Sequence, residues 1–393
     1  MSRGELFRSL QVRDFRTWWV GSLLSNCGTM IQFTTIPFVF HNLTGKGTWV
    51  AAASVVNMLP MVALAPLGGS LADRFSKRSI LLVTQTLATL VSAVFGTLWL
   101  VGVRSPWAYL VVAGLSGTVS GINLPSWQAI IGDLVPPELM MNAVTLNSTQ
   151  FNASRALGPA IGGVALAELG AAWCFYLNTA SYAFVLYALV RLRRRGAAAR
   201  QVSAVRSTVR EDIRATLRII RVDHALRNAI LTVSVVSLFG YPIPSLIVFF
   251  QEDVYHAPRW VLGLLTASIG VGAISVAPYI AGRARDVAPS RLVRPGLYLY
   301  AAAAACFGAS LGPLTGAVAL FALGAAHLAV TSALFTVVQL GVDPSMRGKV
   351  IAGYLMVLNV ATMLGSLGLG AMIDVVGPRE TVTGAGVVFF LLA

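Results

Sequence analysis

The sequence predicts an all-α integral membrane protein whose twelve transmembrane helices form two six-helix pseudo-repeats. Three observations carry that expectation. The 393-residue chain is 56% hydrophobic and 11% charged, with a mean hydropathy of +0.75, whereas a soluble domain carries about 25% charged residues. Apolar segments of about 20 residues, enough to cross about 30 Å of hydrocarbon, recur along the whole chain. The basic residues fall almost entirely in every second loop.

The spans fall near 17–42, 48–71, 80–102, 107–132, 141–167, 172–190, 228–251, 260–281, 295–312, 315–340, 350–373 and 381–393. The first follows MSRGELFRSLQVRDFR, which has no apolar core of signal-peptide type, so this span reads as a retained anchor. The last, TVTGAGVVFFLLA, has 13 residues and reads as a helix truncated before it completes a crossing. With the N-terminus in the cytoplasm, the inner segments hold 24 Lys and Arg and the outer loops hold 4. The positive-inside rule therefore orients the chain with its even-numbered loops inside. This is the pattern of a multi-pass membrane protein, and an Arg-rich, Lys-poor, Ala- and Gly-rich chain fits a GC-rich bacterium, hence the expectation of a bacterial inner (plasma) membrane.

The longest loop divides the chain into an N-terminal bundle (1–190), a basic cytoplasmic linker (191–227) and a C-terminal bundle (228–393). In the linker, Thr208 and Glu211 have capping-box spacing, and Ile213, Leu217, Ile220 and Leu226 form a partial apolar stripe. They suggest an amphipathic helix on the inner membrane face, serving either as a clamp between the halves or as a solvated tether.

The net charge of +14 does not indicate a nucleic-acid partner, since only three of the 29 basic residues are Lys and no aromatic-interleaved basic face occurs. Cys27, Cys174 and Cys306 stand in separate apolar segments and read as small buried hydrophobes. The four His are scattered and no Walker loop is present. Nothing in the sequence therefore suggests an enzyme, a metal site or a cofactor.

The two halves echo one another. Gly69-Ser-Leu-Ala-Asp73 recurs as Gly282-Arg-Ala-Arg-Asp286, and at an offset of 207 Asn152 meets Asn359, Gly158 meets Gly365 and Gly163 meets Gly370. Internal repeats of this kind are a mark of transporters.

Twelve spans in a 6+6 arrangement, a long basic central loop and GGSLADRFSKR after the second span resemble the major facilitator superfamily. Gly69, Leu71, Ala72, Asp73, Arg74, Lys77 and Arg78 match its loop 2–3 motif, and Ser76 stands where that family usually has Gly. The resemblance implies the major facilitator fold and a conformational latch formed by Gly69, Asp73, Arg74, Lys77, Arg78 and Asp133. In that arrangement the Gly pair would bring the second helix against the eleventh, Asp73 would sit at the start of the eleventh, and Arg74 would reach Asp133. In the fifth span, SRALGPAIGG resembles the family's exporter signature, matched by Gly158, Pro159, Gly162 and Gly163, with Ser154 in place of the first Gly. Pro bends a helix, and the glycines would pack closely, against the eighth helix. VPPELMMNAVTLNSTQFNASRALGPAIGG is similar to the enterobactin-exporter and macrolide-efflux branch. An Arg usual in the middle of the fourth helix of other drug antiporters is absent.

Two ionisable residues fall near mid-membrane, where a charge costs at least about 2.5–3.5 kcal/mol. Arg155 would bind helix carbonyls beside Pro159 or else attract an anionic or phenolic substrate. His327 could carry a proton or stay neutral and hydrogen-bonded. By depth and helix number, Asn26, Thr29, Gln32, Asn123, Phe239 and Tyr241 join them as candidates to line a cavity for an amphipathic substrate. Asp73, Asp133, Glu168 and His327 are the candidates for proton coupling. The leading expectation is a monomeric proton antiporter exporting amphipathic small molecules such as an antibiotic, siderophore or secondary metabolite. An importer or lipid flippase on the same fold and a non-transporting scaffold or sensor are the alternatives.

Overall fold

The computed structural model describes residues 7–192, 224–283, 289–342 and 347–392. These are helical and joined by short turns. The long helices are α1 (Arg13–Thr44), α2 (Gly47–Arg74), α3 (Lys77–Leu100), α4 (Pro106–Ala129), α5 (Met140–Glu168), α6 (Ala171–Arg191), α7 (His224–Phe239 and Ile243–Phe249), α8 (Trp260–Arg283), α9 (Pro289–Gly308), α10 (Pro313–Leu340), α11 (Arg347–Val376) and α12 (Pro378–Leu392). Each expected span thus falls on its own helix. Local chemistry sets the turns. Gly45 (φ 63°) and Gly170 (φ 83°) take left-handed backbone that ends α1 and separates α5 from α6. Ser76 explains its own departure from the motif's usual Gly: its hydroxyl accepts from the Ser79 N–H at 3.1 Å and caps α3.

The chain divides into two compact units, Met1–Ala197 with His256–Gly270, and Ala198–Tyr255 with Val271–Ala393. Most of the expected linker, including Thr208, Glu211 and the apolar stripe up to Ile220, lies outside the described residues.

Inside each unit the helices pair in the same way. In the first, α1 packs on α5, α2 on α4 and α3 on α6. In the second, the equivalent pairs α7 with α11 and α9 with α12 form, and α8 meets α10. Small residues permit each close approach, because lipid gives little hydrophobic drive between helices and backbone proximity is what packs them. A Cβ on Gly121 would lie 2.6 Å from Met61 O, and one on Gly365 would lie 2.7 Å from Leu238 Cα.

The Lys/Arg-rich end of the first unit is closed by an apolar cluster around Phe15, Trp18, Leu81, Ile130, Leu134 and Leu189. The short 3-10 turn Arg8–Gln11 is tied to it. There the Ser9 N–H donates to Asn142 Oδ1 at 3.0 Å, and Trp19 Nε1 donates to Leu146 O at 3.0 Å. The outer faces are apolar: on α3, Val83, Leu87, Leu90 and Val94 form an exposed stripe at helical spacing, as a lipid-facing surface requires.

Among the described residues nine helices are both long and apolar enough to cross a membrane. The α5 helix is not one of them, because its first half carries Asn142, Thr145, Asn147, Ser148, Thr149, Gln150, Asn152, Ser154 and Arg155. A second difference from expectation is the interruption of the seventh span. Helical structure lapses at residues 240–242, and Pro242 and Pro244 remove two backbone donors there.

Candidate functional site

Within the first unit, the loop 2–3 partner of Asp133 is Lys77 and not the expected Arg74. Lys77, at the first turn of α3, donates to both carboxylate oxygens of Asp133 at 2.8 and 3.0 Å. Arg74 is exposed and makes no such bond among the described residues. The reason is placement: Arg74 is the last residue of α2, whereas Lys77 starts the helix beside the segment that carries Asp133. Their side chains are 28% and 55% exposed, so the pair contributes at most about 1 kcal/mol.

Arg78 Nε donates to Leu189 O at 2.6 Å and its Nη2 to Val190 O at 3.0 Å. It thereby covers two of the carbonyls that end α6, where a cation is also favoured by the helix dipole. Of the Gly pair, Gly68 makes the close approach: a Cβ there would lie 2.8 Å from the carbonyl oxygens of Gly121 and Ile122 on α4. A Cβ on Gly69 would meet nothing described. Asp73 is exposed. Residues 343–346, before the start of α11, lie outside the described residues.

The glycine seam of α5 faces two helices. A Cβ on Gly158 would lie 2.9 Å from Cys27 O, and one on Gly162 would lie 3.2 Å from Ile31 Cα, both on α1. One on Gly163 would come to 2.6 Å from Gly263 N on α8. Contact with the eighth helix therefore belongs to Gly163, and α1 takes the rest. Pro159 is buried in the same seam, its carbonyl beside Gly263. Ser154, standing for the motif's first Gly, donates to Leu23 O at 3.3 Å and to its own helix at Gln150 O.

Arg155 does not bind helix carbonyls: its side chain is exposed, with no hydrogen bond or ion pair among the described residues. The helix rotation that buries Ser154 and Gly158 turns position 155 away from α1, to the face that also carries Phe151 and Ser148.

Several expected cavity residues prove to hold helices together. Gln32 Oε1 accepts from Ser92 Oγ and from Asn178 Nδ2, both at 2.8 Å, and joins α1, α3 and α6 in a buried network. Asn123 Oδ1 accepts from Thr84 Oγ1 at 2.8 Å and Gln85 Nε2 at 3.3 Å, fastening α4 to α3. Thr29 donates to Ser25 O in its own helix at 3.0 Å. Asn26 is half-buried and makes no hydrogen bond among the described residues.

In the second unit the structure gathers Tyr241 and His327 with a residue that sequence reasoning missed. His327 Nδ1 stands 3.2 Å from the Tyr300 hydroxyl, and its ring centroid lies 4.7 Å from that of Tyr241, edge to face. Tyr300 is 1% exposed. Its ring fills the space beside Gly240, where a Cβ would approach Tyr300 Cζ to 2.6 Å. Phe239, half-buried, ends the first segment of α7 beside them. The signal that could have found this cluster is the run FGYPIP, whose Gly and Pro punctuate an otherwise apolar span.

Twelve helices in two similarly paired sets, apolar outer faces and polar side chains held at mid-helix define a multi-pass membrane transporter of the major facilitator type. The family described as "Transmembrane secretion effector" (MFS_3) matches residues 6–393, and the chain belongs to it. It is 27% identical over 334 residues to the MFS-type transporter YfiS of Bacillus subtilis (strain 168), covering 81% of this chain and 76% of that one. It is 21% identical over 370 residues to the multidrug resistance protein MdtG of Enterobacter lignolyticus (strain SCF1), covering 92% of this chain and 86% of that one. Among solved structures, a bacterial homolog to the human lysosomal transporter Spinster superposes with a TM-score of 0.75 at 13% identity, over 100% of this chain and 96% of that one.

Proposed function

We propose that the protein exports amphipathic small molecules from the cytoplasm by proton antiport, within the enterobactin-exporter and macrolide-efflux branch of its family. The observation that carries the direction is the α5 seam, in which Gly158 and Gly162 press on α1 and Gly163 on α8. A seam without side chains lets two helices slide or rock against α5, and the resemblance ties that sequence to exporters. The family's description as a secretion effector and the name of MdtG as a multidrug resistance protein lend support.

In this reading the chain sits as a monomer in a bacterial inner membrane, N-terminus in the cytoplasm, with bundles 1–190 and 228–393 joined by the linker 191–227. Gly69, Asp73, Arg74, Lys77, Arg78 and Asp133 steady one of its conformations. The Lys77–Asp133 bond and the Arg78 cap hold the loop for that task. Asn26, Arg155, Phe239, Tyr241 and His327 meet the substrate, while Gln32, Thr29 and Asn123 shape the helices that carry them. An exposed cation and half-buried aromatics suit an amphipathic molecule with anionic or phenolic groups.

The test is efflux of dyes, macrolides and catecholate siderophores from cells lacking their own pumps, with and without a protonophore. Export abolished by the protonophore is the expected result. Accumulation inside the cells would indicate an importer, and no flux from correctly inserted protein would indicate a scaffold or sensor.

A further inference from the structure

His327 is the only Asp, Glu, His, Lys or Arg in the six spans of the C-terminal half, 228–251, 260–281, 295–312, 315–340, 350–373 and 381–393. It lies halfway along the 28-residue α10, about 20 Å from either end at 1.5 Å per residue. A titratable group at that depth calls for a use, because its charged form is costly there. The other acidic candidates are placed differently. Asp133 is paired with Lys77, Asp73 lies in the exposed last turn of α2, and Glu168 is the last residue of α5.

The surroundings of His327 suit a group that changes protonation state. The Tyr300 hydroxyl can donate to a neutral Nδ1 or accept from a protonated one, so the hydrogen bond survives in both states. The rings of Tyr241 and Tyr300, with centroids at 4.7 and 5.6 Å, can solvate an imidazolium through their π systems without a carboxylate. The titratable groups described on the packed elements are Tyr298, Tyr300 and Cys306 on α9, Tyr241 at the break in α7, Tyr279 on α8, and Tyr354 on α11, whose ring lies 6.0 Å from Phe335 of α10. The described charged groups of these helices stand near their ends, as do His224 and Arg227 on α7, Arg294 on α9 and Asp374 on α11.

The cluster also touches an interruption in the helical backbone of the unit. Between Phe239 and Ile243 helical structure lapses, the N–H groups of both Gly240 and Tyr241 share Val236 O, and the Tyr300 ring occupies the place a side chain at 240 would take. Broken helices at membrane depth are where transporters bind and respond to ions.

We propose that His327 carries the exchanged proton, and that Tyr300 and the α7 break read its protonation state. The inference rests on the proton-antiport reading above. Two experiments on the full-length protein in liposomes test it. The first needs no substrate: pH-difference infrared spectra between pH 5 and 8.5. Wild type minus His327→Gln should contain an imidazole–imidazolium band near neutral pH, displaced in Tyr300→Phe. No difference band would overturn the proposal.

The second uses ethidium as the probe. In His327→Gln the ratio of accumulation driven by a pH gradient to ethidium exchange at equal concentrations should fall at least tenfold from the wild-type ratio, while Tyr300→Phe should keep accumulation with a shifted pH profile. Gradient-driven accumulation by His327→Gln equal to wild type would overturn the assignment. A wild-type protein indifferent to the pH gradient would instead refute antiport, with the infrared result still deciding whether His327 titrates.

Discussion

The α5–α8 crossing makes a prediction whose sign the geometry decides. A Cβ added at Gly163 would stand 2.6 Å from Gly263 N and 3.1 Å from Trp260 O, and still nearer Gly263 Cα. The reciprocal Cβ at Gly263 would stand 2.5 Å from Gly163 Cα and 2.8 Å from Pro159 O. These neighbours are backbone, which cannot rotate aside, so the helices must part by roughly 1 Å to restore ordinary contact at about 3.5–4.0 Å. Overpacking of this kind costs about 1–3 kcal/mol, against a gain of at most about 1 kcal/mol from replacing Gly by Ala inside a helix. Gly163→Ala and Gly263→Ala should each lower the Tm in detergent, and the double variant should lower it further, since both methyl groups compete for one gap. Gly368→Ala on α11 is the control: its Cβ would meet nothing described, so only the propensity gain applies and its Tm should hold or rise. A Tm for Gly163→Ala at or above wild type, with Gly368→Ala behaving alike, would refute the close approach.

Three further outcomes follow from the site. Lys77→Asp should impair transport and Lys77→Asp with Asp133→Lys should restore part of it, whereas Arg74→Asp should gain nothing from the Asp133 change; efflux assays on the four variants decide. Gln32→Leu should cost about 1–3 kcal/mol of stability, toward the low end because Ser92 keeps Phe175 O at 2.9 Å and Asn178 keeps Tyr182 at 3.4 Å. A melting curve should show the loss, while the activity of the folded fraction is preserved. Burial raises the pKa of Tyr255 above 10.0, opposed by its hydrogen bond to Ser310 and by Arg379. With the folded value raised, the stability it contributes is complete below about pH 10 and falls as pH rises through the folded value. Wild type should therefore lose stability above pH 10 faster than Tyr255→Phe, as thermal unfolding between pH 8 and 11 will show.

The helix count and most boundaries were legible because apolar length is written along one dimension, and turn residues such as Gly45 and Gly170 mark the ends. What the sequence hid depends on helix rotation and on backbone. Gln32, Asn123 and Asn26 look alike as polar residues in apolar spans, yet only the direction each faces separates a helix-joining hydrogen bond from an open amide. Arg74 and Lys77 are three residues apart, but they fall on opposite sides of a turn, and that decides which reaches Asp133. The α7 break was masked by its own hydropathy, since FGYPIP is apolar throughout and an average over the window cannot register two missing donors. Tyr300 sits in LYLYAAAAAC and reads as an ordinary core aromatic until the fold sets it against Gly240 and His327. The α5 seam was legible as a motif, but its main partner, α1, was not.

The most direct test of the account is the direction of coupled proton flow. Purified protein would be reconstituted in liposomes holding a pH-sensitive dye, with a compound that cells have been shown to export added on one side. The account predicts that substrate moving down its gradient drives protons the opposite way, acidifying the compartment that the substrate leaves. Protons moving with the substrate, or no proton movement while the substrate crosses, would contradict it.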